Sequence, residues 1–98
     1  MTLKRMDREE AEQLAIRALG FLGSDPDRVE RFLRLTGLSP DTLRRAVDDP
    51  RFLVSVLDYL LSDEPLLLTF ASEVGISPEV VVTARAALGD GDFASQLD

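Results

Sequence analysis

The chain has 98 residues, 45% of them hydrophobic and 30% charged, with a formal net charge of −7. That size and balance suit one globular domain with its own core, and not a disordered chain. Cysteine and histidine are both absent, which excludes disulfides, thiolate metal ligands, a cysteine nucleophile, the usual general base and the commonest transition-metal ligand.

The first ten residues, MTLKRMDREE, bear basic side chains with no apolar run behind them, so no signal peptide is expected. From Asp7 a first helix is predicted, because Asp7 and Glu10 have the spacing of a capping box. Its apolar stripe reads Ala11, Leu14, Ala15, Ala18 and Leu22. Ser24-Asp25-Pro26 starts a second helix with Val29, Phe32, Leu33 and Thr36 inward, and Gly37 ends it. Ser39 and Pro40 start a third, with Leu43, Ala46 and Val47 inward.

Asp49 and Pro50 open a fourth helix, RFLVSVLDYLL, whose only polar line is Arg51, Ser55, Asp58 and Ser62. A helix that apolar is either central to a fold or meets a partner. A fifth begins within Ser62–Pro65, buries Leu67, Phe70, Ala71 and Val74, and stops at Gly75. Ser77 and Pro78 start a sixth with Val81, Ala84 and Leu88 inward; the β-branched run Val80–Thr83 is outweighed by the cap. Residues 90–98 are acidic and are expected to form a flexible tail, with docking of Phe93 and Leu97 left open. No stretch nears the roughly 20 apolar residues that cross a bilayer, so a cytoplasmic protein without membrane contact is expected.

The chain also repeats itself. At an offset of 38 residues, Leu19–Pro40 falls on Leu57–Pro78 without a gap, and eight of the 22 positions are identical, among them Ser24/Ser62, Asp25/Asp63, Phe32/Phe70 and Gly37/Gly75. Phe21/Tyr59 is a conservative match. One offset serving both turns points to two pseudo-equivalent three-helix units, about 8–47 and 48–88, within a single domain over 1–89. The expected fold is all-α: a compact bundle of about six short helices.

The segments DREEAEQLAIRALGFL, TGLSPDTLRRAVDDPRFLVSVLDYLLSDEPLLLTFA and ISPEVVVTARAALG, covering about residues 3–89, resemble a small family of uncharacterised bacterial proteins, mainly alphaproteobacterial. Its members run to roughly 90 residues, one domain by size. The resemblance implies an all-helical cytoplasmic domain of unknown function, and brings no catalytic or binding residues with it.

Three kinds of chemistry are open to such a chain. Helix-turn-helix DNA binding needs a Gly-containing turn with small, buried neighbours and a basic surface. Ala71, Val74, Gly75, Ile76, Val81 and Ala84 meet the steric demand, but residues 62–88 hold Asp63, Glu64, Glu73 and Glu79 against Arg85 alone. In the first unit Arg28, Arg31, Arg34, Arg44 and Arg45 could meet phosphates, but Leu33 is bulky and Asp41 intrudes. These arginines are expected to pair with Asp25, Asp27, Glu30 and Asp41, which disfavours nucleic acid as a partner. Catalysis or hard-metal binding would fall to Asp48/Asp49, Asp63/Glu64 or Asp90-Gly91-Asp92. The first two pairs sit at helix starts, where capping is their expected role, and the last lacks the rest of a calcium loop. No enzyme activity and no cofactor are expected.

An interaction module remains. The apolar excess from Phe52 to Phe70 suggests a protein partner or a homodimer, with Tyr59, Leu61, Leu66 and Leu68 as the candidate contact surface. The competing expectation is that the fourth helix is simply central and the domain a small monomeric helical scaffold.

Overall fold

A computed structural model describes residues 6–46 and 49–97, with the backbone alone described for 46 and 90–97. Among the described residues there are six helices and no strand: α1 Arg8–Gly23, α2 Pro26–Thr36, α3 Pro40–Ala46, α4 Pro50–Leu61, α5 Glu64–Val74 and α6 Pro78–Leu97. The starts are set by the residues the sequence singles out. At α1 the Asp7 N–H donates to Glu10 Oε1 at 3.1 Å and the Glu10 N–H to Asp7 Oδ1 at 2.8 Å, a reciprocal capping box. Asp25, Asp49 and Asp63 cap α2, α4 and α5, each with proline in the first turn.

The junctions repeat in detail at the 38-residue offset. Ser24 and Ser62 each donate a hydroxyl hydrogen bond of 2.7 Å, to the carbonyls of Phe21 and Tyr59. Gly37 and Gly75 close α2 and α5 with φ of 76° and 77°, and their N–H groups donate to Leu33 and Ala71 carbonyls at 2.8 and 2.9 Å. A Cβ at either glycine would meet no heavy atom within 4 Å, so the left-handed backbone is the sole cost of adding one. Gly37→Ala and Gly75→Ala are therefore expected to destabilise by about 1 kcal/mol or more each in denaturant unfolding. Unchanged midpoints in both variants would contradict these helix ends.

Helices α1 and α4 pack on each other and form the centre, with α2 against α1, α5 against α4, and α6 across both. The α1 stripe is buried as its spacing predicts, with Phe21 added. On α4, Phe52, Leu53, Val56, Leu57, Tyr59 and Leu60 are all buried. Most of the apolar excess is thus core: three neighbouring helices use three sides of α4, and only the Arg51–Ser55–Asp58–Ser62 line faces solvent. The two outer helices send one aromatic ring each into the opposite half. Phe32 of α2 stands edge-on to Tyr59 of α4 at 5.0 Å, and Phe70 of α5 meets Phe21 of α1 at 5.3 Å. Phe32/Phe70 and Phe21/Tyr59 correspond under the 38-residue offset, so both contacts pair corresponding positions, at interplanar angles of 83° and 56°.

The halves differ at their third helices. The seven residues of α3 make at most marginal contact with other helices, whereas the 20-residue α6 packs on both central helices. Val81, Ala84 and Leu88 are fully buried there. On α2 the predicted inward face is thinner than expected: Phe32 is buried, while Val29, Leu33 and Thr36 are half-buried at the edge of the layer. The expected end of α6 at Gly89 needs correction, since the helix runs on to Leu97. Gly37 and Gly75 close their helices with positive φ, whereas Gly89 has no such φ and the helix continues through it. Ala46 and Val47 as inward residues of α3, and the docking of Phe93 and Leu97, lie outside the described side chains.

Candidate interaction surface

The four predicted contact residues do not form one patch. Tyr59 is 9% exposed, held edge-on against Phe32. Leu61 and Leu66 are half-buried against the core, and Leu68 is 48% exposed on the outer side of α5. Two of them meet in a cleft. Between α2 and the α4–α5 junction lies a hollow of about 370 Å³, continuous through Arg31, Tyr59 and Asp63 with a second of about 150 Å³ that Leu66 lines. Leu61 and Leu68 line neither.

On one wall of this cleft α2 places Asp27, Arg28, Arg31 and Leu35; on the other stand Ser62, Asp63, Glu64, Pro65 and Leu66, with Tyr59 between them. The most exposed large apolar residue among the described ones is Leu35, at 64%. The apolar pattern of Phe52–Phe70 does not point to it, because Leu35 lies on α2, outside that stretch. A signal was present: Leu35 corresponds to Glu73 at the 38-residue offset, so an aliphatic residue occupies a position that is charged and exposed in the other half.

The arginines fare unevenly. Arg28 lies 3.9 Å from Asp25, and its guanidinium sits 4.3 Å from the centre of the Phe21 ring. Arg34 approaches Glu30 at 3.8 Å, both strongly exposed, a pairing of little energetic consequence. Arg31, Arg44 and Arg45 are exposed and have no ion pair among the described residues, and neither Asp27 nor Asp41 takes the expected part.

Helices α5 and α6 meet at 101° across the turn 75–77, within the range of a helix-turn-helix. Ala71, Val81 and Ala84 are buried inside the corner. The outer face of α6 nevertheless presents Glu79, Val82, Thr83 and Ala86, and Arg85 is drawn away by an ion pair with Asp58 of α4. Its guanidinium lies over Gly89, where any side chain would displace it. The corner has the shape of a reading motif and the surface of a packing unit.

Two candidate carboxylates for acid–base or metal chemistry act as caps. Asp49 Oδ1 accepts the Arg51 N–H at 2.9 Å and Asp63 Oδ1 the Leu66 N–H at 3.2 Å; Asp48 and the side chains of Asp90 and Asp92 lie outside the described set. Among the described residues no cluster of three metal-ligating side chains occurs. No single described helix is long and apolar enough to cross a membrane.

A family model described as "Protein of unknown function (DUF3572)" matches residues 8–91, from the first residue of α1 into α6. The chain belongs to the DUF3572 family. No curated protein and no solved structure matches it. The match takes in both walls of the cleft, α2 on one side and α4–α5 on the other, so the DUF3572 region contains the whole candidate surface.

Proposed function

We propose that the chain is a non-enzymatic protein-interaction module whose contact surface is the cleft between α2 and the α4–α5 junction. The carrying observation is Leu35, 64% exposed at the rim of a hollow that also holds Tyr59. An aliphatic side chain beside an aromatic one in a recess is the arrangement that anchors protein contacts. With α4 used by the core, the contact surface shrinks from the broad α4–α5 face to Tyr59 and Leu66 on one side and Leu35 on the other. The occupant is a protein partner or a second copy of the chain. The resemblance noted above supports a bacterial, mainly alphaproteobacterial, origin and a cytoplasmic setting. The second reading, a helix-turn-helix DNA-binding protein, has the 101° corner in its favour and the charge of that corner against it.

The test combines sedimentation with capture on immobilised chain. Leu35→Asp is expected to keep the melting midpoint, a surface change worth within about 0.5 kcal/mol, while association or capture is lost. Undiminished association in that variant would remove the cleft as the contact surface. In a parallel arm, duplex DNA is expected not to bind at near-physiological salt. Salt-dependent binding that disappears in the Arg44→Gln/Arg45→Gln double variant would favour the DNA reading instead.

A further inference from the structure

Gly89 sits where a helix has no use for glycine. It lies inside the 20-residue α6 and lacks the positive φ of Gly37 and Gly75, so no turn requires it. In a helix interior glycine is the poorest choice after proline. The space of its missing side chain is taken by the guanidinium of Arg85, one helical turn earlier, whose Nη1 lies where a Cβ would have to stand. From there the Arg85 Nε–H donates to Asp58 Oδ1 on α4. The other ion pairs among the described residues join positions three or four apart in sequence, and this one alone ties two helices together. It is also confined to one half of the chain. At the 38-residue offset Asp58 corresponds to Gly20 and Arg85 to Val47. The half that has the pair has a docked third helix, α6, and the half without it has α3, which makes at most marginal contact.

We propose that Asp58, Arg85 and Gly89 form a latch that fixes the seating of α6 on α4, and that position 89 is glycine to admit the guanidinium. Burial of Val81, Ala84 and Leu88 brings α6 onto the core, but apolar burial is non-directional and leaves rotation and sliding weakly specified. A guanidinium–carboxylate hydrogen bond is directional, so it selects one rotation and one axial position of α6 over α4. Both side chains are partly exposed, and a pair in that setting contributes more to register than to stability. The effect of a substitution at 89 is therefore tied to Arg85 and is not set by helix propensity alone. The latch is independent of the cleft between α2 and the α4–α5 junction.

The test is a double-mutant cycle on the full chain, read by amide hydrogen exchange along α6. In the Arg85→Gln background the space over position 89 is free, and Gly89→Ala is expected to slow exchange about fourfold, as at an ordinary interior glycine. In the parent the same substitution expels the guanidinium, and loss of the pair should hold the gain below about twofold. That difference should shrink in 1 M salt, where the screening length falls to about 3 Å. A second measurement follows the Arg85 side-chain Nε–H signal by NMR. It is expected to be protected from exchange in the parent, and to lose that protection in both Asp58→Asn and Gly89→Ala. An equal gain from Gly89→Ala in both backgrounds overturns the latch, as does an Arg85 Nε–H that stays protected in Gly89→Ala.

Discussion

Phe70→Ala is expected to lower the free energy of unfolding by about 3–5 kcal/mol, the range for deleting a buried phenyl ring from a packed site. Phe70 is fully buried, and its ring meets Phe21 at 5.3 Å with an interplanar angle of 56°. It is the ring that α5 extends toward α1, so its loss removes transfer energy and leaves a void between the two halves. The surrounding backbone is helical on every side, which limits collapse into that void. Since small domains have only about 5–15 kcal/mol of stability in total, the variant should lose a large part of its margin. Urea unfolding measures this directly. A loss below about 1 kcal/mol would mean that α5 does not hold α1 through this ring.

The second large effect separates core from surface on neighbouring helices. Leu60→Ala should cost about 2–5 kcal/mol, because Leu60 is fully buried in the centre of the bundle. Leu68→Asp should stay within about 0.5 kcal/mol of the parent, because Leu68 is 48% exposed on the outer side of α5. The two leucines come from a single apolar stretch and look alike in sequence. Comparable losses from both would place Leu68 in the core and contradict the orientation of α5. Little loss from Leu60→Ala would instead free α4 for the broad contact surface that composition suggests.

Helix ends were readable because they are local. Asp7 with Glu10, Ser24 with Asp25, and Gly37 and Gly75 each act on backbone groups within four residues, so the chain order alone reveals them. The α1 stripe was readable because its other side is polar. On α4 the apolar residues occupy almost the whole circumference, and periodicity then says nothing about which side meets a neighbour. That is why Tyr59 and Leu61 read equally well as interface or core, until Phe32 of α2 is seen against Tyr59 and Leu61 is seen half-buried against the core. The cleft was invisible for another reason: Leu35 and Arg31 acquire meaning only when α2 lies beside the α4–α5 junction, a pairing between distant parts of the sequence. The length of α6 was misjudged because Gly89 resembles Gly37 and Gly75 in identity but not in backbone conformation.

The doubled aromatic contact between the halves has a consequence for where specialisation can occur. Phe21 with Phe70 and Tyr59 with Phe32 is the reciprocity of a homodimer interface, in which position i meets j and j meets i. In a true homodimer every substitution appears on both sides of the axis, so a binding feature cannot be created once without being created twice. Here both partners lie on one continuous chain, and that constraint is lifted. Arg31 and Leu35 have Thr69 and Glu73 as their counterparts. The chain can therefore pair corresponding aromatic positions in its two halves while carrying Arg31 and Leu35 in one of them alone.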